Sequence, residues 1–181
     1  SADGSGGAAR PRGSEITMDL TALGVLHTIV SLVAVAAAIA ALVREHGVSP
    51  TSRIGRVYIW SLVATCVTGL PIFRRGAIGP PHILGVLTLA TLAVAAIARK
   101  TGLFGRASAY VETISYSVTL LFLGISTVTE TLTRVPPSAP LVAGPEAAIF
   151  QPLYLGLLVL FLIGVTVQIR RLGAPVPSTR R

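Results

Sequence analysis

This chain has little charge and very little acid. Only 12% of its 181 residues are charged, with seven Asp and Glu against fifteen Lys and Arg, whereas 52% are hydrophobic. The mean hydropathy of +0.76 is typical of a polytopic membrane protein rather than of a soluble domain. The net charge of +8 does not indicate nucleic-acid binding, because most arginines lie at the ends of apolar runs instead of forming a basic face. The expected partner is the lipid bilayer.

The chain also lacks most of the residues and motifs that carry enzyme chemistry. Its single cysteine, Cys66, excludes an intramolecular disulfide framework and any thiolate-rich metal site. The sequence contains no phosphate-binding glycine loop, no His-Glu-x-x-His motif and no Gly-x-Ser-x-Gly motif. Nucleotide-driven work by this chain alone is therefore not expected, and the sequence leaves open whether the protein is an enzyme.

Long apolar stretches are what the chain does have. Five of them, at residues 20–43, 54–73, 82–98, 110–133 and 147–169, each approach the roughly 20 residues that a membrane-spanning helix needs. Connections rich in Pro and Gly separate them. The sequence predicts an all-α integral membrane protein with five transmembrane helices, the first four forming a bundle of two tandem helix pairs and the fifth lying at the periphery.

The same pattern divides the chain into three regions. Residues 1–17 are rich in Gly, Ser and Ala, and we expect a disordered leader or an added, non-native remnant before a native start at Met18. Residues 18–134 are expected to form the four-helix transmembrane bundle. Residues 135–181 are expected to hold the fifth transmembrane helix and a basic cytoplasmic tail.

Basic residues are distributed unevenly between the two ends of the predicted helices. The first and third connections and the C-terminal tail carry ten: Arg44, Arg53, Arg56, Arg99, Lys100, Arg106, Arg170, Arg171, Arg180 and Arg181. The opposite end carries Arg74, Arg75 and Arg134, together with Arg10 and Arg12 if the leader is native. Because Lys and Arg favour the cytoplasmic side, we expect a bacterial cytoplasmic (inner) membrane protein with its N-terminus outside and its C-terminus in the cytoplasm.

Two histidines lie at matching depths in this arrangement. His27 precedes Arg44 by 17 residues, and His82 precedes Arg99 by the same number. At 1.5 Å per residue, each imidazole lies about 25 Å from the basic end of its helix, close to the extracytoplasmic face. Ionisable residues at such depth are costly and are candidates for function.

Several roles for this histidine pair remain open. Imidazole ligates transition metals and haem iron, so one interpretation is a haem b or a metal ion bound by both His27 and His82. A proton or a small molecule is a further candidate ligand. Alternatively both residues are structural, with His82, which follows two prolines, capping the third helix.

Three other charged residues are expected at the same end. Arg74 and Arg75 close the second apolar segment, where they either bind an anionic group such as the haem propionates or act as interfacial anchors. Glu130 reaches this end from the fourth segment and is expected to pair with one of them or with Arg134. The predicted ligand-binding set is His27, Arg74, Arg75, His82 and Glu130.

Polar side chains follow one face of the fourth segment. At helical spacing this stripe comprises Glu112, Tyr116, Thr119, Ser126 and Glu130. We expect it to face the protein interior, because exposing carboxylates to lipid is costly. It lines a hydrated path or binding cleft, or its hydroxyls join neighbouring helices. Glu112 is expected to pair with a cytoplasmic arginine such as Arg53 or Arg56.

A weak repeat with a period of 55 residues relates the first two apolar segments to the next two. It aligns His27 with His82, Arg44 with Arg99, and Gly47 with Gly102. If the repeat reflects a duplication, both units have the same orientation in the membrane. The two histidines would then approach the bundle axis as a symmetric pair.

Short motifs resemble a bacterial family of predicted multi-helix membrane proteins of unknown function. The resemblance covers about residues 20–133 and rests on His27, on Arg53-Ile54-Gly55-Arg56-Val57-Tyr58 and on Pro81-His82-Ile83-Leu84. Members of this family often carry a His-Arg-x-x-Gly-x-x-Tyr pattern, and this chain has Thr51 and Ser52 at its first two positions. The resemblance implies several spanning helices and singles out the two histidines, without implying an activity. The layout also looks like that of small membrane cytochromes of the b type.

The sequence thus leaves three function classes open. The leading hypothesis is a membrane protein that binds a ligand or cofactor at its extracytoplasmic end. The second is a non-catalytic helical subunit of a larger membrane complex, because the small-residue stretches 34–41 and 93–98 suit close helix contact. The third is a small-molecule transporter that uses the polar stripe.

Overall fold

The computed structural model describes residues 13–72, 79–136 and 138–173, with side chains from residue 22 onward. All regular structure in these ranges is helical. The five α-helices are α1 (Gly13–Glu45), α2 (Arg53–Gly69), α3 (Pro80–Thr101), α4 (Ser108–Arg134) and α5 (Phe150–Gly173). A short 3₁₀ turn, Gly105–Ala107, precedes α4. The predicted all-α class is confirmed.

Four helical stretches of the described chain are long and apolar enough to cross a membrane. They are Ala22–Glu45, Pro80–Thr101, Gly105–Arg134 and Phe150–Gly173. The remaining helix, α2, has 17 residues and is therefore slightly shorter than the roughly 20 residues of a typical span. The protein has the features of a membrane protein, as its composition predicts.

The first helix begins earlier than the sequence pattern predicts. Residues 13–17 belong to α1, so the helix begins five residues before Met18. The interpretation of residues 1–17 as a disordered leader or an added remnant stays a prediction. No proline interrupts the chain between Gly13 and the apolar run, and extending an existing helix adds one hydrogen bond for each residue fixed. Residues 1–12 lie outside the described chain.

Proline and glycine set the facing ends of α2 and α3. The second helix ends at Gly69 instead of continuing to residue 73, because Pro71 follows its last turn. The third helix begins at Pro80, where the missing N–H of proline costs nothing. Residues 73–78, between the two helices, are outside the described chain.

The first four helices form a closed bundle in which each contacts the next. The α1–α2 and α3–α4 pairs make the most extensive contacts, α2 packs on α3, and α1 touches α4. Small side chains let α1 approach α2 closely, since Ala34 and Ala41 are completely buried. The core comprises Ala34, Ala37, Ala38, Tyr58, Leu62, Cys66, Leu92, Ala95, Tyr116 and Leu123.

A buried hydrogen bond joins the two helix pairs across this core. The Tyr58 hydroxyl of α2 lies 2.9 Å from the Thr119 hydroxyl of α4, and both residues are fully buried. Thr119 donates its own proton to the Tyr116 carbonyl at 2.7 Å, so Tyr58 is the donor in the bond to Thr119. The bundle is therefore specified by polar as well as apolar contacts.

The fifth helix lies outside this bundle and packs on α4. Leu157 packs against Gly124, and the Tyr154 hydroxyl lies 2.6 Å from the Thr129 hydroxyl. Phe150, whose ring stacks on Tyr154, is the one buried residue of α5 in the described chain. The predicted peripheral position of the fifth helix is thus observed.

Contacts at one end of the bundle show which termini lie together. The Gln168 side chain of α5 reaches Gly47 in the α1–α2 connection, where an added methyl group would lie 3.1 Å from Oε1 of Gln168. At the same end, Arg99 near the end of α3 pairs with Glu112 near the start of α4. Eight described basic residues belong to this basic end: Arg44, Arg53, Arg56, Arg99, Lys100, Arg106, Arg170 and Arg171.

Candidate functional site

His27 lies between α1 and α2 at the end of the bundle opposite the basic end. Its Nδ1 is 3.1 Å from the Thr68 hydroxyl in the last turn of α2. The imidazole packs on Gly69, where an added methyl group would lie 2.9 Å from Cε1 of the ring. The ring also interacts with the backbone of Thr65. The absence of a side chain at Gly69 therefore makes room for the imidazole.

The hydrogen bonds of Thr68 determine which nitrogen of His27 carries the proton. Thr68 donates its hydroxyl proton to the Ala64 carbonyl at 2.7 Å, as threonines in helices commonly do. Its oxygen must then accept a hydrogen bond from Nδ1–H of His27. In the neutral ring this leaves a lone pair on Nε2, which can accept a hydrogen bond or bind a metal.

A carboxylate and a guanidinium of α4 act on the same imidazole. Glu130 and Arg134 form an ion pair one helical turn apart. Their charges act on the His27 ring over a distance, and neither forms an ion pair with it in the described chain. Their side chains are partly exposed, at 36% and 39%. We define His27, Thr68, Glu130 and Arg134 as the histidine site. It joins α1, α2 and α4, and it brings together two of the five residues in the predicted ligand-binding set.

His82 has a different role at the start of α3. Its Nδ1 accepts a hydrogen bond of 3.2 Å from the backbone N–H of Gly79, three residues earlier. This bond satisfies one of the backbone donors that a helix N-terminus leaves without a partner. The interpretation of His82 as a cap of the third helix is therefore confirmed. In the neutral ring, Nε2 then carries the proton.

The two histidines consequently have opposite tautomers. A haem or metal bound by Nε2 of both would need a lone pair on each Nε2. His27 meets this requirement, but His82 meets it only if it gives up its bond to Gly79. The residues do not fit a haem b or metal ion shared by His27 and His82 in this arrangement. No group of three or more His, Cys, Asp or Glu side chains suited to a metal ion occurs among the described residues.

Two other members of the predicted site, Arg74 and Arg75, lie outside the described residues, which resume at Gly79. Their suggested role with an anionic group stays a prediction. The sequence predicts that Glu130 pairs with Arg74, Arg75 or Arg134. Among the described residues, its partner is Arg134.

The polar stripe of α4 faces inward, as predicted. Tyr116 is 5% exposed and Thr119 is fully buried, while Ser126 and Glu130 are partly buried. Leu123, which lies between Thr119 and Ser126 on this face, is buried in the core. The Thr119 hydroxyl bonds to Tyr58 of α2 and to its own backbone, which matches the interpretation that hydroxyls of the stripe join helices.

The ion pair at the basic end of the stripe uses an arginine of that end, as expected, but neither of the two examples named from the sequence. Glu112 pairs with Arg99 at 3.1 Å and not with Arg53 or Arg56. The reason is topological, because the end of α3 and the start of α4 are joined by a short connection and pack side by side. The pair of Arg99 and Glu112 could have been predicted from the sequence, because two antiparallel helices joined by a short connection bring the residues near that connection together.

Thr68 is the residue of the histidine site that sequence reasoning missed. Its position near the C-terminal end of α2, opposite a histidine near the start of the apolar span of α1, follows from an antiparallel pairing of these two helices. That pairing was predicted, but a threonine in an apolar helix carries no signal of its own because it usually bonds to its own helix.

No protein-family model, curated protein or solved structure matches this chain. The resemblance of its short motifs to a family of uncharacterised membrane proteins therefore stays an expectation. The structure accounts for two residues of the motif by packing: Gly55 allows close approach of the backbone at Ser49, and Tyr58 forms the buried bond to Thr119.

Proposed function

We propose that this chain is an integral membrane protein that binds a small polar ligand at the histidine site, through a hydrogen bond to Nε2 of His27. The observation that carries the proposal is the bond between Nδ1 of His27 and Thr68, because it leaves Nε2 as an acceptor. The ligand would supply an O–H or N–H donor. The Glu130–Arg134 pair, whose charges act on the ring, would offer the ligand both an acceptor and a donor.

Five spanning helices are part of this proposal, and the contacts of α2 support its inclusion. The Ser52 hydroxyl, at the start of α2, donates to Glu45 at the end of α1, at 2.7 Å. At its other end, α2 meets His27. These two contacts lie 18 residues apart on α1, from His27 to Glu45, a rise of about 27 Å that is close to the thickness of the hydrocarbon core.

We also propose the orientation that the charge distribution favours, with the basic end in the cytoplasm of a bacterium and the histidine site near the extracytoplasmic face. Cysteine labelling tests it. In a Cys66→Ala background, Leu103→Cys at the basic end should be labelled only after the membrane is permeabilised. Ser138→Cys, at the other end, should react with an impermeant maleimide in intact cells. The reverse pattern would contradict the orientation.

The ligand proposal is tested by native mass spectrometry and absorption spectroscopy on protein purified from its own membranes in mild detergent. We expect a bound small molecule in the wild type and in His82→Ala, and its loss in His27→Ala. Thr68→Val should weaken its retention, because the ring would lose the bond that sets its tautomer.

Other outcomes would replace this proposal. A Soret band that is lost in both histidine variants would indicate a haem shared by His27 and His82. Stoichiometric metal by elemental analysis, lost in the same two variants, would indicate a shared metal ion. Protein that carries no bound molecule in any form would contradict ligand binding.

The structure offers less support for the two alternative functions. The alanines that suit helix contact with a partner subunit are used within the chain, since Ala34, Ala41, Ala95 and Ala98 are buried. In the polar stripe, the burial of Tyr116 and Thr119 supports contact between helices more than a hydrated path. Ligand binding at the histidine site is the proposal that uses the polar groups in the arrangement observed.

A further inference from the structure

The ends of α1 and α5 come together at the basic end of the molecule. Gln168 of α5 contacts Gly47, just beyond α1, and accepts a hydrogen bond of 3.1 Å from Ser117 of α4. Arg44 lies three residues before Gly47, and Arg171 lies three residues after Gln168. Arg44 is in the last turn of α1 and Arg171 is in the last turn of α5, so each arginine belongs to the helix end that reaches this contact.

The positive charge here is not neutralised by the described part of the chain. Arg44 and Arg171 are exposed, and neither forms an ion pair with a described carboxylate. The two acids near this end are engaged elsewhere, since Glu45 accepts a hydrogen bond from Ser52 and Glu112 pairs with Arg99. An anionic group is therefore the partner whose charge complements this position.

The helices beside this position leave space for the rest of such a partner. In the described chain, α1 touches α4 and α4 packs on α5, but α1 and α5 do not pack against each other. The faces of α1 and α5 on either side of α4 therefore do not cover each other, and we call the surface between them the α1–α5 groove. Its walls are the two most apolar candidate spans, Ala22–Glu45 and Phe150–Gly173, against which hydrocarbon chains can lie.

We propose that the α1–α5 groove binds an acidic phospholipid, with its phosphate between Arg44 and Arg171 and its acyl chains along α1 and α5. Arginine suits this role because its planar guanidinium binds phosphate oxygens in a bidentate manner. The site is separate from the histidine site, which lies at the other end of the bundle.

The experiment measures how many lipids the purified full chain retains, by native mass spectrometry, after incubation with phosphatidylglycerol or phosphatidylcholine. The wild type should retain phosphatidylglycerol preferentially. Each arginine removed should weaken that preference by about fivefold, so Arg171→Ala should lose about fivefold and Arg44→Ala/Arg171→Ala about 25-fold.

A matched control removes the same charge elsewhere on the basic end. Lys100→Ala/Arg106→Ala lies at the α3–α4 connection and should keep the preference for phosphatidylglycerol. Unfolding midpoints in phosphatidylcholine should be equal for all variants, which shows that they are folded. Equal loss in the control pair would mean that only the overall charge matters, and equal retention of both lipids by the wild type would overturn the proposal outright.

Discussion

Replacing Gly55 with alanine tests the packing that places α2 against α1. The added Cβ would lie 1.9 Å from the carbonyl oxygen of Ser49 and 2.6 Å from its carbonyl carbon. Both are backbone atoms of the α1–α2 connection, so no side-chain rotation relieves the overlap. Forcing an extra methyl group into a packed site costs about 1–3 kcal/mol and sometimes more, and a clash with backbone belongs at the upper end of this range.

The measurement is the free energy of unfolding in mixed micelles titrated with a denaturing detergent. We expect Gly55→Ala to lose about 3 kcal/mol. The control is Gly156→Ala in α5, where the described chain has no heavy atom within 4 Å of the added carbon. Because alanine is about 1 kcal/mol better than glycine within a helix, this control should be at least as stable as the wild type. If Gly55→Ala were as stable as the control, the tight approach at Ser49 would be refuted.

Two further substitutions test the polar contacts of the bundle. Tyr58→Phe removes the buried bond to Thr119 and should cost about 1 kcal/mol in the same unfolding assay, because hydrogen bonds between membrane helices contribute about 0.6 to 1.7 kcal/mol; an unchanged stability would contradict a formed bond. Glu112→Gln removes the ion pair with Arg99, and since the arginine side chain is 42% exposed, the loss should stay below about 1 kcal/mol. A larger loss would show that this pair is more sequestered from water than the structure indicates.

The helices could be predicted because their signals are local. Apolar length located all five, and proline or glycine marked the connections between them. The errors lie at the ends, where the pattern is weakest. Pro71 ends α2 before residue 73, and this proline could be read from the sequence. The extension of α1 back to Gly13, by contrast, is not marked by any apolar pattern.

The histidine site could be predicted only in part. The depth of a residue along its helix follows from counting residues, but the rotation of the helix, which decides the neighbours of each side chain, does not. His27 and His82 lie near the starts of the candidate spans Ala22–Glu45 and Pro80–Thr101, as their spacing indicates. Their different roles depend on which neighbours each ring meets: Thr68 is 41 residues away from His27, while Gly79 is three residues away from His82. The local partner of His82 was anticipated from Pro80 and Pro81, and the distant partner of His27 required the fold.

The most direct test of the histidine site is the protonation state of His27, measured by ¹⁵N NMR on protein labelled with ¹⁵N-histidine. Assignment uses the spectra of the His27→Ala and His82→Ala variants. At a pH where the ring is neutral, we predict a protonated Nδ1 and an unprotonated Nε2 for His27, with the opposite pattern for His82. Thr68→Val should remove the preference of His27. A protonated Nε2 on His27 in the wild type would contradict the proposal that this nitrogen accepts a hydrogen bond from a ligand.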